Sequence, residues 1–138
     1  MVYLNIFSQL IIATLFGGMV FFPSVVAPVV FRALDEGGAR KFLRALFPRY
    51  YTFMIGLSVV GAAALGIAMR WPEAGWMVFV ALSTLWVRQW LMPRINDARD
   101  ASLTGDDEAS ARFKKGHTLS VQINMVQMVG VLVVLALL

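Results

Sequence analysis

Residues 49–69 read RYYTFMIGLSVVGAAALGIAM. No charged side chain stands between Arg49 and Arg70, and a hydrocarbon core ~30 Å thick is crossed by roughly 20 helical residues rising ~1.5 Å each. The stretch is therefore read as a transmembrane helix. Tyr50 and Tyr51 sit at its start, where interfacial aromatics belong. Ser58, Ala62 and Gly66 repeat at four-residue spacing, a stripe over which another backbone can approach closely in lipid. That stripe packs inside a bundle or offers a face for a homo-oligomer.

Outward from this helix lie three further apolar segments of spanning character, 3–31, 74–92 and 117–138. The chain has 138 residues, 59% hydrophobic and 14% charged, with a mean hydropathy of +0.74, more apolar surface than a soluble domain can hide. The expected fold is all-α, an integral membrane four-helix bundle forming a single domain over 1–138. The first segment differs from a cleaved secretory signal: no Lys or Arg precedes its apolar run, and it continues to Phe31, so it is read as a retained helix. The absence of cysteine excludes disulfides, thiolate metal sites and cysteine nucleophiles.

The charges are confined to residues 32–49, 70–73 and 88–115. Loop one carries Arg32, Arg40, Lys41, Arg44 and Arg49, loop three carries Arg94, Arg99, Arg112, Lys114 and Lys115, and the turn between helices two and three has only Arg70. Lys and Arg collect in cytoplasmic loops, so loops one and three are expected in the cytoplasm, with the N and C termini non-cytoplasmic, in a multi-pass protein of the bacterial inner membrane. The net charge of +4 and pI of about 10.0 then serve anchoring to the lipid bilayer, and no nucleic-acid partner is inferred.

Within helix one, Pro23 and Pro28 predict a kink or break near its cytoplasmic end. Residues 39–46, in which Phe42, Leu43 and Leu46 alternate with Arg40, Lys41 and Arg44, predict a short interfacial helix, with Pro48 opening helix two. Helix three is expected to continue past a kink at Pro93 to Asp100. Thr104 to Asp107 reads as a loop and N-cap, and residues 108–115 run into helix four, with Gly116 a site for a bend. Helices three and four thus both gain cytoplasmic extensions.

On a helical wheel, His117, Ser120, Asn124, Gln127 and Met128 fall within an arc of about 100°. Polar groups in hydrocarbon need partners, so this stripe must face the bundle interior or a watered cleft. Arg88, Met92, Asn96 and Arg99 group on helix three, with Gln89 and Asp100 at the edge. Facing one another, the two sets predict a ligand-binding pocket of Arg88, Asn96, Arg99, Asp100, His117, Ser120 and Asn124, with Tyr50 at the rim. The plain alternative is interhelical hydrogen bonding, worth ~0.6–2 kcal/mol each. His117, the only histidine, is also the one candidate metal ligand; haem or copper would need a thioether from a second helix, Met19, Met54 or Met92. No phosphate loop, paired metal histidines or serine elbow occurs.

Three stretches resemble the transmembrane protein 205-like family, a domain family of unknown function: residues 46–51 (LFPRYY), 96–100 (NDARD) and 113–120 (FKKGHTLS) running on to Asn124. The resemblance implies a compact four-helix membrane domain with motif residues at Phe113, His117, Ser120 and Asn124. It names no reaction. The function expected is a non-enzymatic membrane protein that binds or passes a small solute or ion, or organises partners, through a cytoplasm-facing polar cleft. The alternatives are a haem-, porphyrin- or copper-handling protein with His117 as ligand, and an assembly factor recruiting a partner through residues 39–46.

Overall fold

The computed structural model describes every residue from Met1 to Leu138. It contains helices and no strands, arranged as four rods. The first joins α1 (Val2–Phe21) to α2 (Ala27–Ala33) through a π-helical turn, Phe22–Val26; the second is α3 (Glu36–Ile67) alone. The third joins α4 (Trp71–Trp86) to α5 (Met92–Leu103) through a second π turn, Val87–Leu91, and the fourth is α6 (Asp107–Leu137). Each rod packs on its neighbour in the chain and the first also meets the fourth, closing the bundle.

Three rods, Val2–Ala33, Glu36–Ile67 and Asp107–Leu137, are long and apolar enough to cross a membrane. Their most apolar stretches are only 17%, 28% and 17% buried within the protein. Hydrophobic helices left this bare are stable where lipid, not water, covers them. The third rod falls short on hydropathy because Trp71, Pro72 and Glu73 open it and Arg88 and Gln89 interrupt it. The core where the rods meet is small and apolar: Ile12, Leu15, Met19, Met54, Leu65, Met77, Val80, Val131 and Val134.

The rods outrun the expected spans. At 32 residues α3 is about 48 Å long, against the ~30 Å of hydrocarbon. The separate interfacial helix expected over 39–46 does not exist. Asp35 caps α3, its carboxylate accepting from the Gly38 amide at 2.7 Å, and the helix runs straight through Pro48. An internal proline costs about 3 kcal/mol. Here packing on both sides offsets it: Ala39 is buried, Arg44 is bound to α5, and the Phe47 ring lies 5.2 Å from Phe22 and 5.7 Å from Tyr51.

Of the kink or break expected at Pro23 and Pro28, the break does not occur: the helix is continuous through one widened turn. The Ala27 amide bonds five residues back to the Phe22 carbonyl, immediately before Pro28. The same device precedes Pro93, where the Met92 amide reaches the Val87 carbonyl. A wider turn lets the backbone pass a ring that cannot donate, without ending the helix. Gly116 does not interrupt α6; a Cβ there would lie 2.8 Å from Ile95 Cγ1, so the glycine serves a close approach of α5. The loop and cap at the start of α6 are as read: Gly105 has φ +93° and the Asp106 carboxylate accepts from the Ala109 amide at 3.0 Å.

Among the polar residues of the spanning region, Gln127 is buried and its amide donates to Ser83 Oγ at 2.7 Å and Thr84 Oγ1 at 3.0 Å, tying rod four to rod three. Ser58 is fully buried, Ala62 packs on the core and Gly66 lies against Trp71, so the small-residue stripe faces its own bundle. At the end opposite loops one and three, Arg70 pairs with Glu73 and donates to the Leu137 carbonyl at 2.7 Å.

Candidate functional site

All four rods project past the apolar core at the loop-one and loop-three end, and between the projections lies a cleft of about 460 Å³. Its walls follow from helical spacing. Residues three and four apart share a face, which puts Arg40, Leu43, Arg44, Phe47 and Tyr51 of α3 on one wall. Met92, Ile95, Asn96 and Arg99 of α5 make the second wall, and Phe113, His117 and Ser120 of α6 the third. Phe31 and Leu34 close it from the first rod.

Electrostatically the lining is cationic, with Arg40, Arg44 and Arg99 against a single carboxylate, Glu36. Arg44 is oriented by a forked ion pair, Nη2 to Asp100 Oδ1 at 2.6 Å and Nη1 to Oδ2 at 3.1 Å, and by a third bond to the Asn96 carbonyl at 3.1 Å. The hydrogen bond from Arg44 holds the Asp100 carboxyl below its usual range, with the charges of Arg44 and Arg40 acting in the same sense. Arg40 and Arg99 make no ion pair. The Arg99 guanidinium instead lies 4.9 Å above the Phe113 ring, a cation–π contact, and Phe113 stacks on the His117 imidazole at 5.9 Å and 7°.

Of the residues expected to form a pocket, Asn96, Arg99, His117 and Ser120 line the cleft together. Asp100 stands beside it, joined through Arg44. The other three stand away from it. Arg88 donates from Nε to the Pro48 carbonyl at 3.2 Å and from Nη1 to Gln89 Oε1 at 2.7 Å, binding rod three to rod two. Tyr50 turns into the packing, its ring 4.7 Å from Phe22 and its hydroxyl buried with no partner in the protein; its neighbour Tyr51 takes the wall. Asn124 lies deeper, its side-chain oxygen likewise buried and without a protein partner.

Arg40 and Arg44 were missed as site residues because Pro48 suggested that residues 39–46 formed a detached surface helix. Their four-residue spacing, in phase with Phe47 and Tyr51, was the available signal. No three His, Cys, Asp or Glu side chains converge as a metal set. Met19 and Met54 are in the core, which leaves Met92 as the thioether that shares the cleft with His117. The chemistry on offer is recognition of an anion by guanidinium groups beside aromatic surface.

A family model described as "Domain of unknown function (DUF4149)" matches residues 10–102. The matched range begins within the first rod, takes in the second and nearly all of the third, and ends before α6, so Phe113, His117, Ser120 and Asn124 lie outside it. No curated protein and no solved structure matches the chain.

Proposed function

We propose, for a chain that belongs to the DUF4149 family of unknown function, that it is a non-enzymatic, multi-pass membrane protein whose cleft faces the cytoplasm and takes up a small anionic solute. The observation that carries this reading is the convergence of Arg40, Arg44 and Arg99 on one cavity, two of them without a carboxylate partner. Cations held in a partly enclosed, aromatic-lined site attract an anion more strongly than they would in open water.

The orientation is supported by charge. All the loop-one and loop-three Lys and Arg residues belong to the cleft end, where cytoplasmic positive charge accumulates, and Arg70 alone belongs to the other. Crossing of all four rods is supported by the bond from Arg70 to the Leu137 carbonyl. It keeps the start of the third rod beside the end of the fourth, so a membrane crossed by α6 is crossed by its neighbour too. Both termini then lie outside the cytoplasm, and the bacterial inner membrane is the compartment that fits. The finer likeness to transmembrane protein 205-like proteins rests on residues 46–51 and 96–100, inside the matched range, and on the α6 motif beyond it.

The test is thermal unfolding of the protein in zwitterionic nanodiscs against a panel of inorganic phosphate, methyl phosphate and longer alkyl phosphates. At least one should raise the midpoint, and Arg40→Gln and Arg99→Gln should abolish the rise. A wild-type protein indifferent to the whole panel would refute an anion site. The second reading, a haem or copper protein, has in its favour that His117 and Met92 share the cleft. Protein from haem- and copper-replete cells showing neither a Soret band nor bound metal would remove it.

A further inference from the structure

Two walls of the cleft change character in the same direction. Down α3 the lining passes from Arg40 and Arg44 to Phe47 and Tyr51, a descent of about 16 Å. The third rod runs the opposite way, so Arg99 stands at the outer end and Met92 at the inner, the same order in space. On α6 the order is reversed, with Phe113 at the mouth under Arg99 and His117 and Ser120 deeper, so the gradient belongs to the α3 and α5 walls. A hydrated inorganic anion would satisfy the outer half and leave Phe47, Tyr51 and Met92 without an apolar partner.

Resting on the reading of the cleft as an anion site, we propose that its ligand is an amphiphile, a phosphate or carboxylate head met by Arg40, Arg44 and Arg99 with an apolar tail lying along Phe47, Tyr51 and Met92. Glu36, at the outer end four residues before Arg40, opposes polyanions and favours a head of one or two charges. Asp100 already neutralises part of Arg44; the head competes with it for one fork of that guanidinium, leaving Arg40 and Arg99 as the free donors.

The experiment is equilibrium binding of methyl, butyl, hexyl and octyl phosphate to the protein in phosphatidylcholine nanodiscs, with binding to empty nanodiscs subtracted. Affinity should rise about two- to fourfold per methylene, and Met92→Ser should flatten that dependence while methyl phosphate binding is retained. Arg99→Gln should weaken every member about tenfold or more. Equal affinity for methyl and octyl phosphate, both lost in Arg99→Gln, would overturn the amphiphile and leave the anion site standing. Absence of binding by any member would remove both. The wild-type series decides this even if a variant misfolds. Phosphatidic acid added to the nanodisc distinguishes the source: displacement of octyl phosphate identifies a membrane lipid, and octyl phosphate binding without displacement identifies a soluble amphiphile, either outcome supporting the tail.

Discussion

Asp100 is an exposed carboxylate held below its usual range by the Arg44 hydrogen bond. A lowered folded value means that its contribution to stability is present above the ordinary value of 3.8 and disappears as pH falls through the folded one. Asp100→Asn is therefore expected to lower the unfolding midpoint slightly near neutral pH, with the difference from wild type closing in strong acid, and to tighten alkyl phosphate binding a few-fold by freeing Arg44. Thermal scans across pH and the binding series check the two halves separately. A second contrast concerns glycines. A Cβ on Gly130 would sit 2.0 Å from Trp76 Cε2, whereas one on Gly17 meets nothing within 4 Å. Gly130→Ala should destabilise by about 1–3 kcal/mol through overpacking against a bulky indole, and Gly17→Ala should be neutral or stabilising by up to ~1 kcal/mol. Sequence alone could not separate them, because Gly17 and Gly130 both lie in apolar helix and only the partner rod distinguishes a contact from open lipid.

At the level of the element, helical rods were legible because apolar runs between charged loops leave no other structure possible in lipid. Their interruptions were not. Pro23 and Pro28 read as a kink or break, Pro48 as a helix start and Pro93 as a kink within a continuing helix, since each lacks a donor, and none ends a rod. Three follow or sit within widened turns, and Pro48 is held by contacts from other rods, invisible to a local reading. This error hid Arg40 and Arg44 from the site. The α3 terminus is a further case. The Arg70 amide bonds to the Leu65 carbonyl and the Met69 amide to the Gly66 carbonyl at 2.9 and 3.0 Å, the paired bonds of a Schellman ending, but the residue at φ 60° is Met69. A side chain is strained there where glycine is not. Met69→Gly should raise stability by about 0.5–1 kcal/mol, read as a higher unfolding midpoint in detergent; a lower one would mean that the exposed Met69 side chain has a lipid or protein contact of its own.

For the whole molecule, what positions the cleft is a mismatch of length: rods of 31 and 32 residues exceed the ~20 that a bilayer needs, and the surplus emerges almost entirely at one end. That end holds the arginines because the apolar windows of α3 and α6 lie toward their C-termini, so the polar N-terminal turns of both, together with α5, stand clear of the hydrocarbon. Half of the cleft was readable this way, from Asn96, Arg99, His117 and Ser120 on two facing wheels. The other half needed the register of α3 against α5, which the Arg44–Asp100 pair fixes. The arrangement makes a strict demand on topology. Because the chain has no native cysteine, single cysteines can be placed at Lys114, Glu73 and Leu138 and probed in intact membranes with an impermeant maleimide. Lys114→Cys should label only from the cytoplasmic side and Leu138→Cys only from the other, since α6 runs between them. Glu73→Cys should behave like Leu138→Cys, because Arg70 joins its turn to the end of α6. Labelling of Glu73→Cys from the same side as Lys114→Cys would mean that the third rod, the least apolar of the four, does not cross, and the cleft would lose the wall that carries Asn96 and Arg99.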